Sequence, residues 1–242
     1  MDSPPPKALA SYVVLVCAAG LAAFGVGVWH GSSELTSRLP ELAVLTPLVV
    51  LGELIPIRVP RGDNLREVRT SITFVFALLL MAGPAAALIA IAIATLARGV
   101  HGRRSARDIA FDTAVGSLAL WCAAAVLATF DVGALSQDAV RISDVTAFVM
   151  AGASYFVVST ALPGIAYSWA QDLRGRRFLA YAFDDLPFRA GTAAALISAA
   201  PLVAAAAGVS LFLVVFLIGP FLAVHGAAAA LVRTSHESLH DP

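Results

Sequence analysis

Charge is the scarcest commodity in this chain. Of its 242 residues, 13% are charged and 59% are hydrophobic, whereas a soluble domain carries about 25% charged residues. Mean hydropathy is +0.85. A core for a chain of this length needs far fewer apolar residues. The surplus must face something other than water, and the chain reads as an integral membrane protein. Formal net charge is zero, which removes the electrostatic basis for a nucleic-acid partner. Lysine occurs once, at Lys7, and arginine supplies the remaining fixed positive charge.

Cysteine is nearly absent as well. Cys17 and Cys122 both lie inside apolar runs. Neither has the spacing of a metal or redox motif, so both read as inert buried thiols. No P-loop, GxSxG, dinucleotide-binding GxGxxG or kinase signature is present, and no row of intramembrane acids suits a proton pump. No catalytic site, metal or cofactor is expected within these residues.

What is present is a series of apolar runs. The first, Ala8–Trp29, exceeds the apolar region of about 7–15 residues in a secretory signal and reads as a retained span. Leu42–Ile57 is the second. Ser71–Ala82 and Ala85–Ala97 follow, separated by Gly83-Pro84. Ile109–Phe130, Val145–Ala170, Phe188–Ala207 and Val209–Val232 complete the set, with the last two divided near Gly208. The expected fold is an all-α, polytopic membrane bundle of eight segments.

The arginines test that division, because cytoplasmic loops are enriched in basic residues. Arg58, Arg61, Arg66 and Arg69 follow the second segment. Arg98, Arg103, Arg104 and Arg107 follow the fourth, and Arg174, Arg176, Arg177 and Arg189 follow the sixth. With eight segments and both termini cytoplasmic, these loops share one face with Lys7 and Arg233. Only Arg38 and Arg141 then lie outside. If Gly83-Pro84 were a mere kink in one long span, two of the arginine loops would face opposite sides. Residues 71–97 are therefore expected to form a hairpin. Each arm of about 12 residues reaches roughly 18 Å, against a hydrocarbon core of about 30 Å. Arms that short need surrounding protein or a cavity, so the hairpin points to a pocket. A start extended back through Arg69 and Thr70 would instead make an ordinary tilted span.

Ionisable groups within a bilayer cost about 3 kcal/mol or more and usually face a partner or a cavity. Glu53, Asp112 and His225 are such groups, all in the cytoplasmic third. One reading has Glu53 and Asp112 accepting hydrogen bonds from arginines of the inner loops, with Arg58 and Arg69 as candidates. The other makes them a polar site that senses a ligand, an ion or a proton. His225 draws interest because histidine changes charge near neutral pH, although a lone histidine is commonly a packed, hydrogen-bonded residue. Thr73, Tyr155 and Ser159 join these as candidate ligand-binding residues. The sixth segment, "VMAGASYFVVSTALPGIAYSW", is rich in small hydroxyl residues and is kinked by Pro163. That suits a pocket-lining span and equally suits close helix packing through Gly152, Ala153 and Gly164. "LRGRRFLAYAFDDLPFR" reads either as an interfacial helix or as an ordinary positive loop.

Two stretches carry a resemblance. "GELIPIRVPRGDNLREVRTSITFVFALLLMAGPAAALIAIAIATLARGVHGRRSARDIAFDTAVGSLAL" resembles the N-terminal membrane region of actinobacterial cyclic di-GMP signalling proteins. In those, a Pro-Ile-Arg segment, a polar loop and a Ser-Thr-Thr-Phe run precede an arginine-rich turn and a Phe-Asn pair. Here the serine and threonine stand as Ser71-Ile72-Thr73, and Asp112 takes the asparagine position after Phe111. "SHESLHDP", at the C-terminus, looks like the opening of a GGDEF domain. The resemblance implies a membrane sensor or anchor domain over 1–232, with 233–242 as a linker and the first residues of a diguanylate cyclase domain, which in this family a phosphodiesterase domain can follow. It implies that residues 1–242 are not themselves an enzyme. The bilayer is the expected partner, together with a second copy of the chain through the downstream domain and a small-molecule ligand of unknown identity. By pattern alone, the short hairpin also resembles vitamin-uptake substrate-binding components. A transporter subunit and a passive anchor are the alternative readings.

Overall fold

The computed structural model describes residues 7–61, 64–130, 142–171, 186–211 and 213–214. Six helices occur among them: α1 Lys7–Leu35, α2 Leu39–Leu54, α3 Ser71–His101, α4 Ala106–Thr129, α5 Ile142–Ala170 and α6 Leu186–Val209. Among the described residues an antiparallel strand pair lies between α2 and α3, β1 Ile57–Arg61 and β2 Asn64–Val68, in the register Ile57 to Val68. By run length this stretch is expected to be the last residue of a span followed by a polar loop.

Local chemistry sets the ends. α2 has Pro40 in its first turn, where the missing N–H costs nothing. It stops at Ile55, whose φ of −118° and ψ of 76° are not helical. Pro56 accounts for this, because proline drives the preceding residue out of the α region. The segment therefore runs from Leu39 to Leu54 rather than from Leu42 to Ile57. α4 also begins earlier than its apolar run. Ser105 caps it, accepting from the Asp108 amide at 3.2 Å while its hydroxyl donates to the Asp108 carboxylate at 2.8 Å. These bonds satisfy an otherwise unpaired donor at the helix start.

Five helices are long and apolar enough to cross a membrane: α1, α3, α4, α5 from Asp144, and α6. α2 has 16 residues and falls short of that length. The final expected segment, 209–232, lies almost wholly outside the described residues, as does the mixed basic and aromatic stretch before α6. Burial separates the five. In α3, 78% of the apolar window is inside the protein, against 17–33% in the other four. α3 packs on α1, α2, α4 and α6 and supplies the largest part of the main core, including Phe76, Leu78 and Leu88 at 0% exposure. The outer helices turn apolar side chains outward, with Val14, Leu15, Leu21 and Leu202 all exposed. Such a surface suits hydrocarbon and not water.

α3 is not straight. Gly83 breaks its helical geometry with φ 79° and ψ 179°, immediately before Pro84. Only glycine adopts that backbone conformation without strain. The two ends of α3 nonetheless meet one carboxylate: Ser71 and Arg98 both bond to Glu53. An unbroken helix would hold those two residues about 40 Å apart along its axis.

Candidate functional site

Polar residues converge where α2 ends, α3 begins and ends, and α4 begins. Glu53 sits in the last turn of α2 and is 7% exposed. Its Oε1 accepts from the Ser71 hydroxyl at 2.7 Å. Its Oε2 accepts from Arg98 Nη1 at 2.9 Å. Arg69 Nε lies 3.8 Å from the same oxygen, at the edge of ion-pair range. Arg98 then bridges outward: its Nη2 donates to Asp112 Oδ2 at 2.5 Å, and Arg104 Nη1 donates to that oxygen at 2.9 Å.

The chain around the site is built for this approach. Gly52 faces the first residue of α3, and a Cβ there would lie 2.5 Å from the Ser71 amide nitrogen. A larger residue would push α2 away and draw Glu53 out of reach of Ser71. Arg98 belongs to the last turn of α3, where a cation is favoured by the helix dipole. Its long side chain runs between two carboxylates with 13% exposure.

Three guanidinium groups and two carboxylates leave one formal positive charge. Burying such charges costs several kcal/mol each unless they are paired with good geometry. Here both oxygens of Glu53 are engaged, and the guanidinium of Arg98 uses both terminal nitrogens. Two buried polar atoms in the same region have no hydrogen-bond partner, Thr70 Oγ1 and Arg98 Nε. The arrangement can lock helix ends together and can respond to a nearby anion. Among the described residues no group of three or more His, Cys, Asp or Glu side chains could hold a metal ion.

Of the residues singled out by sequence, Glu53, Asp112 and Arg69 come together here. The Arg58 side chain and His225 lie outside the described residues. Thr73 is elsewhere, donating to the Leu196 carbonyl of α6 at 2.8 Å. Tyr155 packs edge-on against Phe76 with centroids 5.2 Å apart. Ser159 bonds within its own helix to the Phe156 carbonyl at 3.2 Å. Thr73 and Ser159 do not join the charged cluster, whereas Tyr155 lies close enough to Glu53 and Arg69 to interact with both electrostatically. The central member, Arg98, was read from sequence as a loop charge; its place at the end of the run "AIATLAR" is the signal that it belongs to the helix. Ser71 and Arg104 were likewise not singled out. The lack of catalytic signatures has one exception: His236–His240 reads H-E-S-L-H, the spacing of a zinc-protease helix, and it lies outside the described residues.

A large apolar cleft of about 1140 Å³ opens between α5 and α6. It lies toward the opposite end of α2 from the charged cluster, at Arg38 and Glu41. Set against known proteins, the chain matches no protein-family model, no curated protein and no solved structure.

Proposed function

We propose that this chain is the membrane-embedded sensory or anchoring module of a cyclic di-GMP turnover protein. Its charged cluster would hold the bundle in one arrangement, and the chain following α6 would pass that arrangement to a GGDEF domain beyond Pro242. One observation carries the reading. The stretch that resembles cyclic di-GMP signalling proteins is the stretch that supplies Glu53, Arg69, Ser71, Arg98, Arg104 and Asp112 to one cluster. The similarity therefore falls on interacting residues and not on generic apolar sequence. On this reading residues 1–242 make no cyclic di-GMP themselves. The arginine-rich face is cytoplasmic, and it is the face on which the cluster lies.

The proposal includes the path of α3. The two halves on either side of Gly83 run as a re-entrant hairpin, entering and leaving on the arginine-rich face. The shared bonds of Ser71 and Arg98 to Glu53 support this, as does the 78% burial of the element. Surrounding protein is what a short intramembrane hairpin requires. A cluster that ties both hairpin arms to α2 and α4 can serve as a two-state element. A ligand would shift it only by binding one arrangement better than the other.

Two experiments test this. Spin labels at Arg69→Cys and His101→Cys, with Cys17 and Cys122 replaced by alanine, report the hairpin. The expected separation is below about 30 Å, whereas a continuous helix gives about 48 Å. For the signalling role, the reading frame past codon 242 is sequenced and residues 1–232 of the encoded protein are replaced by unrelated spans. A frame that lacks a GGDEF domain overturns the reading. With that domain present, the swap is expected to alter cyclic di-GMP output; unchanged output overturns the sensory role and leaves the module an anchor.

A further inference from the structure

The cleft between α5 and α6 is chemically lopsided. Its walls are apolar, formed by residues such as Phe148, Phe156 and Ile197. One end is charged, where Arg38, Glu41 and Asp144 line it. Its volume of about 1140 Å³ exceeds the range of about 300–1,000 Å³ usual for small-molecule sites. It follows α5 from Asp144 to Phe156 and α6 from Ala190 to Gly208, so it is long as well as large. Val149 and Val209 line it and are 61% and 78% exposed. The cleft thus opens sideways onto the surface that faces hydrocarbon.

The charged end is incompletely satisfied. Arg38 Nη1 donates to Glu41 Oε1 at 3.3 Å. Glu41 Oε2 is buried and has no hydrogen-bond partner. A buried carboxylate oxygen without a donor is destabilising, and a bound ligand that donates there removes that cost. The three side chains sum to one formal negative charge, with a guanidinium beside the carboxylates. The complementary head group carries an ammonium for Glu41 and an anionic oxygen for Arg38, and the complementary body is a long apolar chain.

From this geometry we infer that the cleft binds a bilayer phospholipid with a zwitterionic, ammonium-bearing head. The ammonium donates to Glu41 Oε2, the phosphate meets Arg38, and acyl chain fills the channel between α5 and α6. This site is separate from the Glu53 cluster and does not depend on any downstream domain.

The test uses the full chain purified in mild detergent from a bacterial membrane containing both phosphatidylethanolamine and phosphatidylglycerol. Native mass spectrometry is expected to show phosphatidylethanolamine retained at least about 10-fold over phosphatidylglycerol, a difference of about 1.4 kcal/mol. E41Q is expected to remove most of that preference. Ala153→Phe, which fills the cleft, is expected to abolish retention. Val157→Phe, on an exposed α5 position outside the lining, is expected to retain lipid like the parent. Equal retention of both lipids by the parent overturns the inference. So does identical behaviour of the two phenylalanine variants. A photo-crosslinker at Ala153 that captures a peptide of this same chain, in place of lipid, also overturns it.

Discussion

Ser71 and Arg98, at opposite ends of α3, hold opposite oxygens of the same Glu53 carboxylate. A single acidic side chain thereby fixes where the most buried helical element starts and where it finishes.

Arg98→Ala should be the most damaging substitution in the cluster. It leaves Glu53 buried without its closest cation and takes one of two donors from Asp112. Removing one partner of a buried ion pair costs about 3–5 kcal/mol. Asp112 is 29% exposed and keeps Arg104, so the lower end, about 3 kcal/mol, is expected. Equilibrium unfolding in mixed micelles measures it. A loss under about 1 kcal/mol would show that the pair is not held as described.

The Ser71–Glu53 bond can be isolated by a double-mutant cycle with Ser71→Ala and Glu53→Gln. Hydrogen bonds to charged groups contribute about 1.5–3 kcal/mol. A coupling energy of about 1.5 kcal/mol is expected from the same unfolding measurement. Strict additivity of the two substitutions would contradict the contact.

Gly83→Ala tests the break in α3. Alanine at φ 79° and ψ 179° is strained by about 1–3 kcal/mol, although a Cβ there meets no atom within 4 Å. The expected result is a lowered melting temperature arising from backbone strain alone. Gly164→Ala, also in open space and at ordinary φ, should leave the melting temperature unchanged or raise it. Equal effects of the two substitutions would argue against the left-handed conformation at Gly83.

Thr73→Val keeps the shape of the side chain and removes its bond to the Leu196 carbonyl. Interhelical hydrogen bonds in membranes average about 0.6 kcal/mol, with some near 1–2. A loss in that range is expected, accompanied by weaker docking of α6. Hydrogen exchange of the α6 amides around Leu196 would report it.

The outline of the bundle was legible because apolar run length carries most of the information about a membrane helix. Gly83-Pro84 was legible for the same kind of reason, since few sequences interrupt an apolar helix so sharply. Glu53 and Asp112 stood out because charge in an apolar run is rare. Arg98 did not, since an arginine at a span boundary looks the same whether it points into a loop or folds back between two acids. Sequence spacing could not bring Ser71 and Arg98 to one carboxylate, because the path of the chain past Gly83 is set by tertiary packing that no local pattern records. The β1–β2 pair was hidden in a short polar loop whose length and composition do not separate a hairpin from irregular chain. The lopsided cleft was invisible too, as Glu41 and Asp144 lie at helix starts, where acids are commonplace.

Among the described spans, the segment that partitions into lipid most readily is the one that lipid finally touches least. α3 has the highest mean hydropathy of the five, 2.5, and the greatest burial. During synthesis it emerges before α4 and α6, which cover it. Until they arrive, its surface is held only by earlier segments and by transient lipid contact. Assembly therefore has a direction, with a sticky intermediate in the middle. A chain truncated between α3 and α4 would enter the membrane with its future interior on display.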